Sequence, residues 1–234
     1  MAIQSIYSAS TTTRIGNTVY GFGCNINDSS TAIFDVAVNH YLILTIFDLV
    51  GNDTLDLSGR HTDSVILRGS SVISRTGAPL QATDARGSSG TDTQVNIERL
   101  QFADINLAFD ITGNAGQVYR LYQAAFDRTP DVPGLSDWLR GMDAGLALQK
   151  VATGFIGSAE FQGLYGANPT NAQFINLLYA NVLNRTPDQG GYDYWSDQMD
   201  LGLTRELVLI GFSESAENQA AVLPAIAGGI SYVA

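Results

Sequence analysis

The chain has 234 residues, with 23 Asp and Glu against 12 Lys and Arg, a formal charge of -11 and ordinary apolar content. That balance argues against nucleic acid and anionic membrane surfaces as partners, because the chain is short of cations to neutralise phosphates; it suits hard cations, which bind oxygen. One cysteine, Cys24, and two isolated histidines, His40 and His61, exclude an intramolecular disulfide, a cysteine zinc site and a histidine zinc cluster.

In chain order, "AIQSIYS" reads as a short opening helix, and "MAIQSIYSAS" lacks the basic start and apolar run of a secretory leader. If the chain is exported, it is expected to leave by another route. Residues 1–112 then read as β-rich. "TVYGFG" (18–23), "TAIFDVA" (31–37), "YLILTIF" (41–47), "SVILRG" (64–69) and "QVNIERLQF" (94–102) are short, β-branched or aromatic segments separated by Gly, Ser, Asn and Asp. The longest apolar stretch, 41–47, is strand-length and too short to span a bilayer, so no membrane insertion is expected. Residues 77–93 read as a loop.

Residues 113–234 read as helical, ending in a small, apolar, Gly-rich tail without charge after Glu217. Val118, Leu121, Tyr122, Ala125 and Phe126 form one helical stripe, and Phe174, Leu177, Leu178 and Val182 form another. Thr170 with Gln173 is a capping-box start. The helical half is duplicated: "LYQAAFDRTPDVPGLSDWL" (121–139) matches "LYANVLNRTPDQGGYDYWS" (178–196) at an offset of 57 residues, and the match continues through Gly145 with Gly202, Phe155 with Phe212 and Glu160 with Glu217. The copies cover about 118–163 and 175–220, two stacked units sharing a core. The fold class expected is therefore α+β: a β-rich domain over 1–112, a short β-roll or sandwich-like stub, then an all-α domain of two tandem repeats over 113–234.

Within each copy, Arg128 with Glu160 and Arg185 with Glu217 read as an ion pair, and Asp131 and Asp188 as helix N-caps. Trp138 and Trp195 read first as core. The sharper alternative is a sugar-stacking platform, with Trp138, Tyr192, Tyr194 and Trp195 as ligand-binding residues. No HExxH helix is present and neither histidine sits in a catalytic motif, so the chain reads as non-enzymatic.

The stretch "FDLVGNDTLDLSG" (47–59) carries Asp48, Asp53 and Asp56 without one Lys or Arg. Two readings stay open on local chemistry: carboxylates and carbonyls around a calcium ion, or turn residues bonded to their own backbone. Together with "AIQSIYSASTTTRIGNTVYGFG" the stretch resembles the start of the C-terminal domain of serralysin-type metalloproteases, a calcium-binding β-roll of secreted bacterial enzymes. The resemblance implies Ca2+ as cofactor. One ion would take the carbonyls of Arg14, Gly16 and Val50 with Thr18, Asp48 and Asp53. A second would share Gly51 and Asp53 with Asn96 and Glu98. It also implies type I secretion with an uncleaved C-terminal signal and an extracellular or cell-surface location. The tandem GGxGxDxUx repeats of that family are absent, so any roll is a stub.

The helical half, through "LYQAAFDRTPD", "GFIGSAEFQ", "LYANVLNRTPD" and "GFSESAENQ", resembles a second bacterial family, domain of unknown function 4214. That resemblance implies a place in secreted calcium-binding and surface proteins. The function expected is a secreted, non-catalytic calcium-binding module, calcium completing its fold outside the cell. The alternative is a cell-surface polysaccharide (lipopolysaccharide) binder or a self-assembling surface-layer or filament protein.

Overall fold

The computed structural model describes residues 98–102 and 104–233, together with the backbone of six earlier strands. The opening helix and the segment 31–37 expected from the sequence lie outside the described residues. Two units are present: one takes Met1–Ile111 with Ala227–Ala234, the other Thr112–Ile226.

The first unit holds two sheets. In one, β1 (Val19–Gly21), β3 (Thr54–Leu57) and β7 (Arg99–Phe102) run parallel, with Val19 level with Thr54 and Thr54 level with Arg99. Antiparallel β8 (Asn106–Ala108) and β9 (Ile230–Tyr232) complete it in the order β1-β3-β7-β8-β9. In the other, β2 (Thr45–Phe47) pairs parallel with β6 (Thr91–Val95), and β5 (Leu80–Asp84) and β4 (Val65–Gly69) follow antiparallel.

Three features depart from the sequence reading. Residues 77–93, expected as a loop, contain β5 and the start of β6, because pairing with β4 and with each other outweighs a Gly-, Ser- and Asp-rich composition. The run 94–102, expected as one strand, splits at 96–98 into β6 and β7 of different sheets. The tail "ISY" forms β9 beside β8, Ile230 level with Ala108. Around β7 the buried Arg99 forms an ion pair with Asp110 and lies 5.7 Å from the Tyr232 ring centre.

The second unit is built from eight helices among the described residues. Copy one comprises α1 (Asn114–Phe126), α2 (Val132–Asp143), α3 (Leu148–Ile156) and α4 (Ala159–Tyr165). Copy two comprises α5 (Asn171–Leu183), α6 (Gln189–Asp200), α7 (Arg205–Ser213) and α8 (Ala216–Ile226). Every helix of copy two starts at the position the sequence offset requires, and the first three also end there. None of the helices is long and apolar enough to cross a membrane.

The recurrence extends to the ends of the helices. After α1 and α5 the chain turns through left-handed residues, Asp127 (φ 49°) and Asn184 (φ 52°), the residue types that tolerate that conformation best after glycine. The Asp131 and Asp188 carboxylates accept the Gly134 and Gly191 N–H, both at 2.9 Å, and so cap α2 and α6. Thr170 and Gln173 form the reciprocal capping box at α5.

The apolar stripe read in α1 is the hub of the unit. Val118, Leu121 and Ala125 are wholly buried, and α1 touches helices of both copies. Each such buried Val or Leu contributes roughly 1.5–3 kcal/mol.

Candidate functional site

Of the nine residues expected to hold calcium, Glu98 alone is described; Arg14, Gly16, Thr18, Asp48, Val50, Gly51, Asp53 and Asn96 lie outside the described residues. Glu98 is half-buried, and its carbonyl accepts the Phe109 N–H at 2.8 Å. Among the described residues, no group of three or more His, Cys, Asp or Glu is placed to hold a metal ion. The strands flanking the expected residues are placed, however. Segments 14–18, 48–53 and 96–98 run into β1, β3 and β7, which stand side by side with Val19, Thr54 and Arg99 in register. Segments 48–53 and 96–98 also leave β2 and β6 at the paired residues Phe47 and Val95.

The four aromatic residues separate by role. Trp138 meets Phe155 edge-on at 5.4 Å, and Trp195 stacks on Phe212 at 5.0 Å. Each indole also lies over a glycine. A Cβ on Gly154 would fall 2.6 Å from Trp138, and one on Gly211 2.5 Å from Trp195, so this close approach requires glycine in both copies. The indoles therefore wedge α2 against α3 and α6 against α7. Tyr192 is half-buried, while Tyr194 is 56% exposed and touches Trp195 edge-on at 5.1 Å. Two of the four, Trp138 and Trp195, thus make packing contacts within their copies, while Tyr194 is exposed.

The RTPD turns carry a polar cluster in each copy. Arg128 donates to both Glu160 oxygens, at 2.6 and 3.1 Å, and Arg185 to both Glu217 oxygens, at 2.8 and 2.9 Å. These bonds hold Glu160 and Glu217 below the ordinary carboxylate range. Each guanidinium also lies over a tyrosine ring, Arg128 over Tyr122 at 5.1 Å and Arg185 over Tyr179 at 4.9 Å. The Tyr122 hydroxyl donates to Asp131 at 2.8 Å, and with the Gly134 N–H this lowers the Asp131 pKa from 3.8 to about 2. Burial raises the tyrosine itself. The arrangement is that of a braced turn. It offers no nucleophile beside a base and no carboxylate with a raised pKa of the kind acid–base chemistry uses.

Because folding depresses the Asp131 pKa, its contribution is present above about 4 and is lost as pH falls through about 2. The carboxylate is half exposed, so the contribution is below about 1 kcal/mol. Asp131→Asn should therefore flatten the acid limb of the stability curve between pH 4 and 2, read by thermal melts of the helical signal. An unchanged limb would show that other carboxylates carry it.

Two features went unread in the sequence. Arg120 of α1, 3% exposed, grips Glu214 at the end of α7 with two bonds of 2.8 and 2.5 Å, tying copy one to copy two. Its signal was the exception to the repeat: the positions equivalent to Arg120 and Glu214 are Leu177 and Gly157. The second feature is an open groove of about 620 Å³ beside α5, bounded by the linker 166–169 that joins the copies.

Residues 110–164 and 152–222 each match a family described as "Domain of unknown function (DUF4214)", together just under half of the chain. Among curated proteins, the chain is 43% identical over 65 residues to "Serralysin" of Proteus mirabilis, covering 28% of this chain and 13% of that protein. It is 46% identical over 59 residues to "Serralysin C" of Dickeya chrysanthemi, covering 25% and 12%. It is 42% identical over 65 residues to "Serralysin" of Photorhabdus luminescens, covering 28% and 13%. The chain therefore spans about an eighth of the length of these relatives. No solved structure gives a significant match. The helical half thus matches a family whose function is unnamed, and a stretch of about 65 residues is similar to part of the serralysins.

Proposed function

We propose that this protein is a secreted, non-catalytic calcium-binding module whose β unit is completed by calcium outside the cell. The observation that carries the reading is the strand register. Segments 14–18, 48–53 and 96–98 enter three adjacent strands with Val19, Thr54 and Arg99 level. That topology favours a shared hollow at one end of the sheet for Arg14, Gly16, Thr18, Asp48, Val50, Gly51, Asp53, Asn96 and Glu98. The donors are all oxygens, from carboxylates, carbonyls, an amide and a hydroxyl, which is the set calcium takes at about 2.3–2.6 Å. Likeness to the serralysins supports the same reading and supports export as well.

Where calcium is scarce, carboxylates at this hollow repel one another and the β unit is weakened. Outside the cell, calcium binds the folded form alone and adds stability by mass action, roughly 2.7 kcal/mol at 100 times its dissociation constant. Calorimetric titration of the metal-stripped chain should give saturable calcium binding that magnesium does not reproduce and that Asp53→Ala abolishes. Absence of binding would return Asp48, Asp53 and Asp56 to the role of turn residues.

A further inference from the structure

The groove beside α5 has a counterpart that shows what it lacks. On copy one, the equivalent face of α1 is covered: Ala115 is 0% exposed and Arg120 3%, with Arg120 held by Glu214 of copy two. At the repeat offset these positions become Ala172 and Leu177, where Ala172 is exposed and Leu177 half-buried. The groove lies along this less covered face, lined by Ala172, Gln173, Asn176 and Leu177. Its volume falls within the roughly 300–1,000 Å³ typical of ligand sites.

The walls are held in place without help from a ligand. The Arg205 guanidinium donates to the Pro169 carbonyl and lies 5.5 Å from the Phe174 ring centre. The Tyr165 hydroxyl donates to the Ala124 carbonyl at 2.8 Å, and the Thr170 N–H donates to Gln173 Oε1 at 2.9 Å. What remains for a ligand is a short row of exposed amides. Gln173 keeps its Nε2 donor, and Asn176, whose Nδ2 is spent on the Ala172 carbonyl at 2.8 Å, keeps its Oδ1 acceptor. Asn168, in the linker between the copies, also lines the groove. No lining residue is charged, in a chain of net charge -11.

We propose that this groove binds a neutral, hydroxyl-rich glycan segment. Asn168, Gln173 and Asn176 exchange hydrogen bonds with its hydroxyls, and Leu177 lies under an apolar ring face. Hydroxyls both donate and accept, which matches mixed, uncharged amides. The lining offers no strand edge to extend a peptide backbone and no ion to anchor a charged ligand. The site lies in the helical unit, so it stands or falls independently of the calcium reading.

The test is calorimetric titration of the full chain, with calcium present, against chitohexaose, cellohexaose and maltohexaose. One of them should bind saturably. Ala172→Arg, which sends a long side chain from an exposed helical position into the groove, should weaken that binding at least about ten-fold, and Asn168→Ala about three- to ten-fold. Tyr194→Ala should leave it unchanged, and circular dichroism should show all variants folded. Three outcomes would overturn the proposal: no saturable heat with any of the sugars, binding indifferent to Ala172→Arg, or binding that Tyr194→Ala abolishes. Saturable binding of an uncharged Gly-Ser decapeptide in place of the sugars would also overturn it.

Discussion

Arg120→Ala should lower the stability of the helical unit by about 3–5 kcal/mol, measured by urea unfolding at 222 nm. Arg120 is nearly wholly buried, and its two bonds to Glu214 at 2.8 and 2.5 Å join α1 to the end of α7. Truncating the arginine leaves the Glu214 carboxylate, 22% exposed, without its cation. Replacing both residues tests this account more sharply, because it removes the desolvation of both ions along with their attraction. Arg120→Met combined with Glu214→Met should therefore stay within about 1 kcal/mol of the parent. A loss below about 1 kcal/mol in the single variant would show that water screens the pair despite its burial.

Phe174→Ala should cost about 3–5 kcal/mol, the range for removing a buried aromatic ring that its neighbours cannot replace. Phe174 is 0% exposed and lies 6.4 Å from Phe161 and 5.8 Å from Tyr165, ring centre to ring centre. It is the point where α5 meets the end of copy one. The equivalent residue in copy one is Gln117, so the ring belongs to the junction between copies and not to the repeat itself. The same substitution should loosen Arg205, which rests on the ring and holds the Pro169 carbonyl. Urea unfolding reads the stability. A cost under about 1.5 kcal/mol would mean that Phe161 and Tyr165 collapse into the space.

What was legible in the sequence was what recurs. Trp138 and Trp195, the RTPD arginines with Glu160 and Glu217, and the capping aspartates each have a twin, so a structural reason was visible twice. The Thr170–Gln173 box was legible because capping is local chemistry. The non-local features were not. β5 sits in a stretch whose composition reads as loop, and its pairing with β4 and β6 depends on residues that sequence reasoning cannot bring together. β9 has three residues, too few for periodicity to speak. The Arg120–Glu214 clamp spans 94 positions, and its trace was the mismatch between copies. The groove was hidden for the same reason, since it depends on which face of a repeat remains uncovered.

The helical unit is braced by features that need no metal: caps, indoles over glycines, and the cross-copy ion pair. The β unit contains the adjacent parallel strands β1, β3 and β7, into which the segments of the calcium proposal lead. The two units should therefore respond differently to calcium. The decisive measurement is thermal unfolding of the metal-stripped chain, with and without millimolar calcium, followed by near-ultraviolet circular dichroism and by the helical signal at 222 nm. Calcium should shift upward a transition with little helical amplitude, an effect absent with magnesium and absent in Asp53→Ala. Coincident, calcium-independent unfolding by both signals would contradict the calcium proposal.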